Sequence, residues 1–131
     1  MLILNVDGAA RGNPGPAAIG VTLKDENKRL IARISQKIGS TTNNQAEYRA
    51  LIAGLKKAIS LGAKNITVYS DSELMVKQMR GLYRIKNPGL RPLYSEAAQL
   101  AYSLAGFRIE SVPREQNREA DRLANMALDG F

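Results

Sequence analysis

After Ile34 the apolar residues of this chain stop alternating and begin to recur at helical spacing, and this change of period restricts the fold more than any other feature. Before the change, Leu2-Ile3-Leu4-Asn5-Val6-Asp7 reads as a short buried strand, ended by Asp7 and the turn-forming Gly8. Ile19, Val21 and Leu23 alternate with Gly20 and Thr22, and Leu30, Ala32 and Ile34 alternate again beyond the polar turn Asp25-Glu26-Asn27-Lys28. These two strands pair as a hairpin. After the change, Leu51, Ile52, Leu55, Ala58 and Ile59 mark a helix ended by Gly62, for which Thr41-Thr42-Asn43-Asn44 offers several N-caps. A fourth strand around Ile66 and Val68 breaks at Ser70-Asp71-Ser72, and a helix carrying Leu74, Met75, Val76 and Met79 follows. A loop over 81–92, a helix over 95–104, a fifth strand over 107–112, a loop over 113–118 and a last helix over 119–128 complete the order βββαβααβα.

Connection rules turn that order into a topology. The first strand runs up, the hairpin returns down and up, and a helix crosses over to a fourth strand parallel to the first on its free side. The fifth strand is again parallel. The expected fold class is α/β, a mixed five-stranded sheet with helices packed on it, and 131 residues suit one domain spanning 1–131.

In this topology four acids fall on one edge. Asp7 and Asp71 close the first and fourth strands, while Glu47 and Asp121 sit in the first turns of helices that start where other strands finish. The carboxyl edge is where open α/β sheets place their sites. Glu47 also lies one turn before Leu51, and Asp121 shares a face with Ala124 and Leu128, so both approach the core. A carboxylate entering a core is costly unless paired or metal-bound. Singly, Asp7 and Asp71 read better as turn residues, and Glu47 and Asp121 as partners of helix dipoles. Jointly, four repelling acids on one edge make sense if divalent cations neutralise them.

Composition narrows the chemistry. The chain has no cysteine and no histidine, which excludes thiolate and imidazole metal sites and histidine-based triads. A metal must be held by oxygen, which favours Mg²⁺, Mn²⁺ or Ca²⁺. A formal charge of +7 suggests a polyanionic partner. The amino terminus has no basic leader with a long apolar core, and no apolar stretch nears the ~20 residues of a membrane span, so a cytoplasmic protein without membrane contact is expected.

Four stretches carry a resemblance. They are 7–16 (Asp7-Gly8-Ala9-Ala10-Arg11-Gly12-Asn13-Pro14-Gly15-Pro16), 42–47 (Thr42 to Glu47), 68–72 (Val68 to Ser72) and 117–124 (Asn117 to Ala124). With these in this order, the chain resembles the type 1 ribonucleases H from about Leu2 to Leu128. The resemblance implies a ribonuclease-H-like fold with sheet order 3-2-1-4-5 and two Mg²⁺ ions, with Mn²⁺ as a substitute. It implies hydrolysis of the RNA strand of RNA/DNA hybrids to 5′-phosphate and 3′-hydroxyl ends, and it matches Asp7, Glu47, Asp71 and Asp121 to the family's metal-binding acids. Asn13 and Asn44 match positions suited to 2′-hydroxyl and base-edge contacts in the minor groove, and Thr42 and Asn43 resemble a DNA-phosphate pocket at a helix N-terminus. Plain turn and N-cap roles are the alternative for these residues. From Leu74 to Ser95, Lys77, Arg80, Arg84, Lys86 and Arg91 occur without an acid, a candidate phosphate-tracking surface with Arg80 and Lys86 as contacts, or else a solvated face. This segment is short and lacks tryptophan, unlike members that insert a basic handle. No protein partner is implied, and a monomer is expected.

The chain departs from the family in the loop before Asp121. Many members carry a histidine there, but Pro113-Arg114-Glu115-Gln116-Asn117 has none. Arg114 is the nearest candidate for binding the scissile phosphate or helping product leave, with Arg118 second. Arginine stays protonated, so neither serves as a base. Two rivals stay open at this stage: a binding module that kept the fold without catalysis, and a relative preferring duplex RNA or RNA–DNA junctions. Phosphate binding by the Gly12-Asn13-Pro14-Gly15 loop lacks the Lys-Ser/Thr of a P-loop.

Overall fold

The structure is a computed structural model and describes residues 1–130. Its elements are β1 (Leu2–Ala10), β2 (Gly15–Asp25), β3 (Leu30–Thr41), α1 (Asn43–Ser60), β4 (Asn65–Ser70), α2 (Glu73–Met79), α3 (Arg91–Tyr102), β5 (Gly106–Ser111) and α4 (Arg118–Leu128), with a 3₁₀ turn at Arg114–Gln116. The strands form one sheet in the order β3-β2-β1-β4-β5. The two hairpin pairings are antiparallel, and β1–β4 and β4–β5 are parallel. The inferred order and sheet are therefore those of the molecule.

Strand alternation divides the sheet between two helical layers. Leu4 of β1 and Val21 of β2 face α1, where they approach Gly54. Their neighbours Asn5 and Thr22 line a cavity with the first turn of α4, so α4 covers the other face. Leu4, Val6, Val21, Leu23, Leu51, Leu55, Ile66 and Val68 make a continuous buried core around Tyr48. The Tyr48 hydroxyl is satisfied there, donating to Gln78 Oε1 at 2.8 Å and tying α1 to α2. Thr42 caps α1 with a reciprocal box: its hydroxyl accepts from the Gln45 N–H, and the Gln45 side chain accepts from the Thr42 N–H at 3.2 Å.

Two readings at the first strand need correction. Asp7 does not end β1, which runs three residues further to Ala10, paired with β2 throughout. Only the partnership with β4 ends early, at Asn5↔Tyr69, so Asp7 lies beyond the parallel part of the sheet although it is still in a strand. Nor does Gly8 form a turn. A Cβ on Gly8 would stand 2.2 Å from the Ala46 carbonyl carbon, so this glycine lets the first turn of α1 pack directly on β1. A turn and a close backbone approach leave the same residue in the sequence. β2 and β3 also outrun their apolar alternation, because hairpin pairing carries both to Gly15↔Thr41.

Candidate active site

Backbone packing delivers the four acids. With Gly8 against Ala46 and Glu47, α1 sets Glu47 beside the strand that holds Asp7. Gly20, paired across from Asp7, does the same for α4: a Cβ there would lie 1.9 Å from the Ala120 carbonyl oxygen, next to Asp121. β4 ends at Ser70, which places Asp71 just past its last pair, and Ser72 then caps α2 through the Met75 N–H. Asp7, Glu47, Asp71 and Asp121 line one cavity of about 330 Å³ together with Gly8, Ala9, Asn43, Ser72 and Arg114. All four acids that the sequence singled out are thus brought together. Neither Gly20 nor Ser72 was singled out, although an isolated glycine inside an alternating strand is the signal for a close backbone approach.

Burial and mutual charge perturb three of the acids. Asp7 is 7% exposed, and burial first, then the charges of Asp71, Asp121 and Glu47, push its carboxyl up to about 8. Burial raises Glu47 to about 7, with the charge of Asp71 adding and the Ser72 hydroxyl opposing. Asp71 is raised by burial, against the pull of the Arg114 guanidinium. Glu47 Oε2 is buried and has no hydrogen-bond partner among the described residues. Among those residues no group of three or more acids forms a ready-made cage for a metal ion; the carboxylates line a shared cavity instead.

Around this cavity the other candidates separate. Arg114 reaches it from the 3₁₀ turn, with Nη2 3.6 Å from Asp121 Oδ1, and its side chain is 76% exposed. Arg118 lines a different cavity on the α4 face, with Asn5, Thr22 and Lys24. Asn43 joins three parts of the site: its Oδ1 accepts from the Ala10 N–H at 3.2 Å, its N–H donates to Asn13 Oδ1 at 3.0 Å, and its Nδ2 donates to Glu47 Oε1 at 3.4 Å. Asn13 therefore holds the N-terminus of α1, and the Thr42 hydroxyl is engaged in its own cap.

Asn44 and Lys86 share an open groove of about 530 Å³ with Leu74, Tyr83, Arg84 and Leu90. Arg80 is set apart from it, donating through Nε to the Ile109 carbonyl at 2.9 Å beside Glu110 of β5. Lys77 lies over the Tyr83 ring at 5.0 Å, so the basic segment is not one continuous face. No helix among the described residues is long and apolar enough to cross a membrane.

Comparison with known proteins adds the family. A family model described as reverse transcriptase-like matches residues 5–127. A bifunctional protein of Mycobacterium tuberculosis is 46% identical over 129 residues, covering 98% of this chain and 35% of that protein. The ribonuclease HI of Halobacterium salinarum is 45% identical over 123 residues, covering 94% of this chain and 62% of its own length. The chain thus spans between a third and two thirds of these relatives. The crystal structure of the RNase H1 from Halobacterium salinarum superposes with a TM-score of 0.96 at 42% identity, over 99% of this chain and 98% of that one. LC11-RNase H1, solved in complex with an RNA/DNA hybrid, superposes with a TM-score of 0.93 at 41% identity, over 98% and 97%. With the sheet order, the four clustered acids and these likenesses in agreement, the chain belongs to the type 1 ribonuclease H family.

Proposed function

We propose that this chain is an endonuclease that hydrolyses the RNA strand of RNA/DNA hybrids, leaving 5′-phosphate and 3′-hydroxyl ends. The observation that carries the reading is the gathering of Asp7, Glu47, Asp71 and Asp121 in one cavity, with Asp7 nearly sealed from water and Glu47 Oε2 without a partner. Like charges desolvated together are unfavourable unless a counter-charge joins them. The donor set fits divalent cations, being all carboxylate oxygen without histidine or cysteine, and Mg²⁺ with Mn²⁺ as substitute suits it. A pair of such ions, which the four acids would hold, would supply Lewis-acid activation of water and stabilisation of the leaving 3′ oxygen.

The remaining residues bind and orient. Arg114, at the mouth of the acidic cavity, offsets the charge of the scissile phosphate and cannot take up a proton. Asn13 and Asn44 lie around the N-terminus of α1, where side-chain amides suit the 2′-hydroxyl and base edges of a minor groove. Thr42 and Asn43 open the same helix end, a natural neighbour for a DNA phosphate. Lys86 and Arg84 line the adjoining groove, and Arg80 adds positive charge further along. That a relative of matching fold was solved on an RNA/DNA hybrid supports this choice of substrate.

The test is cleavage of an end-labelled RNA strand annealed to DNA, with Mg²⁺ or with EDTA, for wild type and Asp7→Asn. Internal cuts in the RNA that need metal and vanish in the variant are expected. A folded protein that binds hybrid and cuts with neither Mg²⁺ nor Mn²⁺ would make it a binding module instead. Cutting of duplex RNA or single-ribonucleotide junctions in preference to hybrid would reassign the substrate.

A further inference from the structure

Asn117 stands at the N-cap of α4, where asparagine usually turns its side chain onto the free N–H groups of its own helix. Here it does not: α4 has no side-chain cap. The Asn117 side chain is instead buried, 1% exposed, and its Nδ2 donates to the Val6 carbonyl at 2.9 Å. Its Oδ1 accepts from Asn5 Nδ2 at 3.0 Å, and the Val6 carbonyl, which can only accept, fixes the sense of the amide. Local preference is thus overridden by a long-range contact between residues 111 positions apart. Such conflicts between local and global choice concentrate at functional sites.

The contact has a particular address. The Val6 carbonyl belongs to the peptide unit whose other end is the Asp7 N–H, one residue past the point where β1 loses β4 as its partner. Meanwhile the Asn117 carbonyl accepts from the Asp121 N–H at 3.1 Å, the first helical hydrogen bond of α4. One residue therefore holds the backbone of two acids, Asp7 through its side chain and Asp121 through its main chain. These come from opposite ends of the chain. Their carboxyls share a cavity and a mutual repulsion that would drive β1 and α4 apart.

We propose that Asn117 is a positioning residue that sets the spacing of Asp7 and Asp121, with Asn5 as its orienting partner, and so tunes how tightly the acidic cavity holds divalent cations. The inference rests on the proposed metal-dependent function. Groups that orient metal-binding side chains from behind are typically worth ~10–100-fold in metal affinity or activity.

The experiment compares wild type with Asn117→Asp and Asn5→Ala. Asn117→Asp keeps the shape but sets an oxygen against the Val6 carbonyl, and Asn5→Ala removes only the orienting donor. A control, Ile66→Ala, weakens the core at the start of β4, where it pairs with Leu2 at the edge opposite the acids. Each protein is titrated with Mg²⁺ alone, reading the rise in melting temperature, and then assayed on hybrid. The Mg²⁺ concentration for half-maximal stabilisation should rise about tenfold in Asn117→Asp and less in Asn5→Ala. The same displacement should appear in the metal dependence of kcat, with KM for hybrid within about twofold, while Ile66→Ala stays at the wild-type midpoint. Unchanged Mg²⁺ midpoints in both variants, or a shift in Ile66→Ala as large as theirs, would reduce Asn117 to an ordinary fold contact. If Asn117→Asp fails to fold, Asn5→Ala decides by the same readout. If wild type does not cleave hybrid, the functional reading fails while the Mg²⁺ titration still tests the positioning role.

Discussion

Replacing Asp7 by asparagine should abolish activity and at the same time make the metal-free protein more stable. The carboxyl is 7% exposed, and burial with three neighbouring acids raises it from 3.8 to about 8. A raised carboxyl favours the protonated folded form, so the stability it contributes is fully present below pH 4 and is lost as pH climbs toward 8. Between 3.8 and pH 7 the linkage amounts to about 4 kcal/mol. Asparagine removes the charge but leaves a buried amide, so the gain at pH 7 is expected between about 1 and 4 kcal/mol. With an unfolding entropy near 2.1 cal/mol/K per residue, a chain of this length shifts by about 4 °C per kcal/mol. Thermal unfolding followed by circular dichroism in EDTA should place Asp7→Asn some ~4–15 °C above wild type at pH 7–8, with the difference shrinking toward zero by pH 4. Mg²⁺ should then raise the melting temperature of wild type and leave the variant nearly unmoved, since only a cation that binds the folded form stabilises it. A variant less stable than wild type at pH 8, or a difference of equal size at pH 4 and pH 8, would refute the electrostatic reasoning.

Three further outcomes follow from the geometry. Gly20→Ala places a methyl group 1.9 Å from the Ala120 carbonyl oxygen, so α4 must move outward; a loss of about 3 kcal/mol in urea unfolding is expected, together with weaker Mg²⁺ binding because Asp121 moves with the helix. Arg114→Ala should lower kcat about three- to tenfold, less than the ~100-fold of a fully desolvated donor, because its side chain is 76% exposed; Arg114→Lys should recover part of the loss, and unchanged turnover in the alanine variant would remove the assignment. Lys86→Ala should weaken hybrid binding in a salt titration and reduce the slope of log K against log salt by about one, whereas a slope equal to wild type would mean that Lys86 contacts no phosphate.

The linear pattern of this chain carried a good deal of its structure. Strict alternation in Ile19–Leu23 and Leu30–Ile34 against the 3.6 period of Leu51–Ile59 yields the order of elements, and the handedness and connection rules then place β4 beside β1. The four acids were legible for a related reason. Glu47 and Asp121 fall on the inward stripes of helices, where a carboxylate is out of place on hydropathy alone, and with Asp7 and Asp71 they mark an edge before any coordinate is known.

Distances lay beyond the sequence. Gly8 read as a turn because a turn and a close approach use the same residue, and only the packing of α1 on β1 distinguishes them. Arg114 and Arg118, four residues apart, are the first and second candidates in the sequence, and only the 3₁₀ turn directs one into the acidic cavity and the other onto the α4 face. Arg80 and Lys86 belong to one basic segment, yet the end of α2 sends the first to the Ile109 carbonyl and the second to the groove beside Asn44. Asn117 shows the division most sharply. Local preference makes it a helix cap, and it is instead held between Asn5 and the Val6 carbonyl, because a buried amide takes its partners from whatever the tertiary fold brings within reach.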